Sequence, residues 1–169
     1  MALILALILT TAAAQQTPAE RQVSVEVFQV IELPITITDT ALVKTKDGYS
    51  LQCQLSNNSE FQALGLRYSL ALVDSMNETK SLITRNESLK LAEFQTKSVT
   101  FKTPLKLKIK PNERLVLMLE EIMSTDYMWA VMKPKEALTS YIAGDYSVAP
   151  RVQRLSNQVD APIPPRVIF

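Results

Sequence analysis

The chain predicts an all-β fold, an antiparallel sandwich of about seven strands, on three observations. Tyr49, Leu51, Cys53 and Leu55 alternate with Ser50, Gln52, Gln54 and Ser56, and the alternation resumes at Leu64, Leu66, Tyr68, Leu70 and Leu72 after a polar run. Period two over such lengths means two strands, each with one apolar face. Two strands cannot bury those faces alone, so a second layer must follow. Val99 and Phe101, then Leu105, Leu107 and Ile109, then Leu115, Leu117 and Leu119 supply it with no helix interleaved. Glycine is scarce, at 3 residues in 169, so the turns must rely on Pro, Asn, Asp and Ser.

The elements follow in order. Ala2 to Leu9 is an unbroken apolar run, and Ala12 to Ala14 offers an Ala-x-Ala cleavage site. Residues 1–14 therefore read as a secretory signal. The run is shorter than the roughly 20 apolar residues a bilayer requires, so no transmembrane segment is expected once it is removed. A buried N-terminal strand or helix is the competing reading. Residues 15–34 are an N-terminal arm or short strand, with Val23, Val25 and Val27 in alternation and Pro34 closing it. The sandwich domain spans 35–132. Its first strand, Ile35 to Val43, places Ile35, Ile37, Ala41 and Val43 on one face, and Asp47-Gly48 marks a hairpin into Tyr49. Leu82-Ile83 and Leu89, Leu91 suggest a short edge strand and a return segment, and Tyr127 to Met132 ends the series around Trp129, the only tryptophan. Pro134 to Ile142 is a short helix, proline in its first turn and Gly144 just past its end. Residues 145–169, punctuated by Pro150, Pro162, Pro164 and Pro165, read as a flexible C-terminal tail that is either unstructured or packs across the domain or a partner.

Composition excludes much chemistry. The chain has no histidine, which removes imidazole-based catalysis, His-ligated zinc and a histidine pH switch from its own repertoire. Its one cysteine, Cys53, is in phase with Leu51 and Leu55 and reads as a small buried hydrophobe. A formal net charge of +1 gives no reason to expect nucleic acid as a partner. No cofactor or metal pattern is present in the sequence. Carboxylate-pair glycoside hydrolysis is the remaining acid–base option, but Glu120 and Glu121 are adjacent on a strand and should face opposite ways. No catalytic residue is assigned, and the chain is read as a non-enzyme.

Three features bear on binding. Lys106, Lys108 and Lys110 share one face at period two, with Lys102 and Arg114 near; this is a binding strip for an acidic partner or a solvated edge that blocks strand pairing between molecules. Tyr127, Trp129 and Tyr141 form either an aromatic platform or, for the tryptophan, part of the core. Asn57, Asn77 and Asn86 each head a glycosylation acceptor triplet.

The run Ser50-Leu51-Gln52-Cys53-Gln54-Leu55-Ser56-Asn57-Asn58-Ser59, with the aliphatic strand from Leu64 to Asp74, resembles the small immunoglobulin-like FxLYD modules of bacterial surface and periplasmic proteins. The resemblance covers residues 35 to 132 and implies an extracytoplasmic interaction or structural module without catalytic residues. The sequence reading is thus an exported, periplasmic or extracellular, immunoglobulin-like module for binding, adhesion or structural support, its partner an unknown protein or cell-surface component, with weak self-association open. The alternative is an assembly or chaperone-like protein that donates its C-terminal arm to a partner.

Overall fold

The computed structural model describes residues 23–101, 105–147 and 149–156. The expected signal at 1–14, Lys102 and residues 157–169 of the tail lie outside them. Among the described residues nine strands and one helix follow in the order β1 (Val23–Phe28), β2 (Ile35–Thr45), β3 (Gly48–Asn57), β4 (Ala63–Val73), β5 (Thr79–Leu91), β6 (Thr96–Thr100), β7 (Arg114–Ser124), β8 (Tyr127–Val131), α1 (Pro134–Ile142) and β9 (Val152–Ser156).

The strands form an all-β sandwich. One layer runs β2-β3-β6 and the other β5-β4-β7-β8, with every pairing inside them antiparallel. This three-plus-four order, with chain crossings at β3–β4, β5–β6 and β6–β7, is the immunoglobulin-like arrangement. β1 joins the two layers. Val23 and Ser24 pair antiparallel with Leu42 and Ala41 of β2, and Val25 to Phe28 then run parallel to Leu115–Met118 of β7. β8 takes the same edge of β7 further on, at Glu121–Met123, and β9 extends the sheet beyond β8.

Period-two reasoning holds where the ladders are regular. Leu51, Cys53 and Leu55 on β3 and Leu66, Tyr68, Leu70 and Leu72 on β4 are buried, and Tyr68 stacks on Phe101. It fails at bulges. A register shift between Thr38 and Ala41, with Asp39 at φ 50, sends Leu42 into the core where Ala41 was expected. A second shift between Ala63 and Gly65 leaves Leu64 exposed. β5 is one long edge strand, not two short pieces. Residues 106–110 are not a strand: Leu105 alone bridges to Tyr49, and Leu107 N–H then bonds back to the Leu105 carbonyl.

Both parities of β7 are buried, because α1 lies over its outer face. Leu115, Leu117 and Leu119 point between the sheets, while Val116 and Met118 join Leu138 and Ile142 of α1 in the same apolar cluster. The tail expectation is corrected in part, since 152–156 form β9, and β1 and β9 extend the domain past 35–132 on both sides. Among the acceptor asparagines, Asn57 is buried. Its amide donates to the carbonyls of Phe61 at 2.8 Å and Ala92 at 2.9 Å, and its oxygen accepts from Ser59, so it shapes the β3–β4 turn and is closed to a glycan in the folded chain. Asn77 and Asn86 are exposed.

Burial pushes the Cys53 thiol up from an ordinary 9.0 to about 12. The unfolded chain ionises this thiol above pH 9 and the folded chain does not until far higher. Its contribution is therefore complete below pH 9 and is lost as pH rises toward 12, at no more than about 1.4 kcal/mol per pH unit. Urea midpoints should fall from pH 9 upward. A Cys53→Val variant should stay flat until about pH 10, where Tyr68 and Tyr141, both pushed up to about 12 chiefly by burial, take over. Identical pH profiles for the two proteins would contradict the burial of this thiol.

Candidate ligand groove

A groove of about 430 Å³ opens between the end of β1, the loop that follows it, α1 and the segment after the helix. Its construction starts with the helix. Pro134 sits in the first turn with Lys133 at φ 51 before it, and Gly144 at φ 74 closes the other end. There Gly144 N–H bonds to the Tyr141 carbonyl and Asp145 N–H to the Ser140 carbonyl, the paired bonds of a glycine-terminated helix. That reversal carries Asp145 and Tyr146 back along the helix. The groove lies between them and β1.

The walls are aromatic. Phe28 stacks on Tyr141 with ring centroids 4.1 Å apart, and Tyr146 meets Tyr141 edge-on at 5.9 Å. Tyr141 is fixed at its far end, where its hydroxyl donates to Glu26 Oε1 at 2.7 Å and the other oxygen of Glu26 pairs with Arg114. Burial and that bond to Glu26 push the Tyr141 phenol up to about 12, so it stays a neutral donor. Ile31 at the loop tip is 93% exposed and Tyr146 is 74% exposed, an apolar pair at the mouth with nothing among the described residues covering it.

Two carboxylates sit on the rim. Hydrogen bonds from the hydroxyl and backbone N–H of Ser147 hold the Asp145 carboxyl below its usual range, so it is ionised at neutral pH. Glu32 Oε2 accepts the Val152 N–H at 3.0 Å and ties the loop to the start of β9. Gln29 also lines the groove but is committed to the scaffold, donating to the Ile35 carbonyl and accepting from Ile37 N–H. Among the described residues, the groove lining contains two acidic residues and no basic one.

The expected site residues are dispersed. Lys106, Lys108 and Lys110 are exposed, but on an irregular segment; Arg114 leaves the strip to bind Glu26 and the side-chain oxygen of Asn77. The expected aromatic set divides. Tyr141 belongs to the groove, whereas Tyr127 and Trp129 gather with Phe61 under Arg154. Glu120 and Glu121 do not face opposite ways: a bulge between Arg67 and Tyr68 brings both to Arg67, whose guanidinium lies 3.0 Å from Glu120 and 3.2 Å from Glu121. The Nε proton is not aimed at Glu120, so that contact is an ion pair and not a hydrogen bond. Phe28, Ile31 and Tyr146 carried no signal in the sequence, because only the packing of α1 on β1 and β7 brings them together. No helix among the described residues is long and apolar enough to cross a membrane. No family model, curated protein or solved structure matches the chain.

Proposed function

We propose that the chain is an exported, non-catalytic binding module that takes an extended apolar polypeptide segment carrying a cationic residue. The observation that carries this is the groove: open, walled by three aromatic rings, and rimmed by Asp145 and Glu32 without a compensating base among the described residues. Aromatic-lined channels suit proline-rich segments, whose extended backbone is already ordered and whose rings stack on tyrosine. The acidic rim selects for an arginine or lysine at one end by charge complementarity. Export rests on the apolar run and Ala-x-Ala site of residues 1–14, and the resemblance to extracytoplasmic FxLYD modules agrees with it.

A peptide Ala-Pro-Ile-Pro-Pro-Arg tests the reading by calorimetry on the full chain; its sequence also occurs in the chain at residues 161–166. Saturable binding is expected. Tyr146→Ala should weaken it by roughly tenfold, the equivalent of about 1.4 kcal/mol, without loss of stability because Tyr146 is already exposed. A peptide ending in glutamate should not bind. Equal heats from both peptides, or no saturation, would refute the assignment. Export is checked separately by sequencing the mature N-terminus: a start at Gln15 supports it, and retention of Met1 to Ala14 overturns it.

A further inference from the structure

β9 is a lightly held edge strand. Among the described residues it pairs only with β8, from Val131↔Val152 to Tyr127↔Ser156, and four of its five residues are exposed. Its apolar anchoring amounts to a half-buried Val152 and a Leu155 that is 36% exposed. Specificity comes from one side chain. The Arg154 guanidinium lies 3.7 Å from the Tyr127 ring centroid, 5.0 Å from Phe61 and 5.5 Å from Trp129, so three rings that approach one another edge-on or tilted form a cage around a cation.

We propose that the β8 edge with its cage is a strand-acceptor site, and that β9 of a second copy of this chain fills it by reciprocal exchange. The occupant fits by construction, since the ladder and the cage contact already exist within one molecule and an identical strand reproduces both. Each copy that gives up its β9 receives one, so both β8 edges end as fully paired as they began. The balance is then set by chain concentration and by strain in the connector. That connector, residues 143–151, reverses sharply at Gly144 and at the Asp145–Ser147 turn. Extended, at about 3.3 Å per residue, it spans roughly 30 Å, enough to reach a neighbouring sheet edge. A tightly bent connector beside a lightly buried edge strand favours exchange. The β8 edge lies apart from the groove, but the connector carries the groove residues Asp145, Tyr146, Ala149 and Pro150, so extending it opens the groove; the exchange itself does not depend on whether the groove binds peptide.

The test uses the full chain with Ala130→Cys and Gln153→Cys, which face each other across β8 and β9. Cys53 is buried and does not compete. Isotopically heavy and light preparations are mixed, incubated over a range of concentrations, diluted, oxidised and digested. Intrachain 130–153 disulfides at low concentration show that the variant folds with β9 in place. Heavy–light 130–153 disulfides that grow with incubation concentration, together with a disulfide-linked dimer, are the expected result. Arg154→Ala, which empties the cage, should speed the exchange roughly fivefold or more. Heavy–heavy and light–light disulfides alone at every concentration would overturn the proposal, as would a dimer without the 130–153 link. An unchanged rate in Arg154→Ala would overturn the cage's part in it.

Discussion

Replacing Gly48 by alanine should cost about 2–4 kcal/mol of stability. A Cβ at this position would stand 2.6 Å from the backbone carbonyl oxygen of Leu105, and φ is +141. Neither problem relaxes cheaply. The atom in the way is backbone, and moving it breaks the Tyr49–Leu105 bridge, whose two hydrogen bonds measure 3.0 and 2.8 Å. Leu105 is itself fully buried, so displacing it also opens the core beneath β3. Gly144→Ala is the control. It shares a positive φ, +74, but has no atom within 4 Å of the added carbon, and should cost only about 1 kcal/mol. Equal urea midpoints for the two variants would mean that the Leu105 segment is not seated against the β2–β3 hairpin.

The second large effect is electrostatic. Glu120 is 3% exposed on the outer face of β7, where it accepts the Ser69 hydroxyl and pairs with Arg67; Ser69 in turn meets Thr84 of β5 at 2.9 Å. Arg67→Met removes the only cation paired with that carboxylate among the described residues. Breaking a fully buried pair costs about 3–5 kcal/mol; the Arg67 side chain is 42% exposed and partly screened by water, which brings the expectation down to about 2–3 kcal/mol. The double variant with Glu120→Leu should recover most of the loss, because it removes the stranded charge and adds apolar surface over the sheet. If Arg67→Met and the double variant unfold together at the lower midpoint, the carboxylate is solvated and the bulge does not bury it.

That bulge also shows where the sequence stops being readable. Parity located the inward faces of β3 and most of β4 because alternation is a local property of an extended chain. It failed at Leu42 and Leu64, where an extra residue shifts the ladder and inverts the phase, and for Glu120 and Glu121, which adjacency placed on opposite faces. Helix α1 was legible to the residue, since Pro134 and Gly144 are chemical punctuation for its two ends. β9 was not. A short polar strand after Pro150 has no periodicity of its own, and what makes it a strand is the open edge of β8. The lysine alternation survives as a difference in exposure between Lys106, Lys108, Lys110 and the apolar residues beside them, but not as a ladder. The groove was invisible for a similar reason. Phe28 and Tyr141 are separated by most of the domain, and their stacking depends on β1 crossing from one layer to the other.

Amide chemical shifts of the isotopically labelled full chain, followed during titration with Ala-Pro-Ile-Pro-Pro-Arg, test the binding assignment most directly. Saturable shifts confined to the end of β1, Ile31 and Glu32, and the stretch from Tyr141 to Tyr146 are expected. Shifts that fail to saturate, or that gather instead at Lys106 to Lys110, would remove the groove as the binding surface.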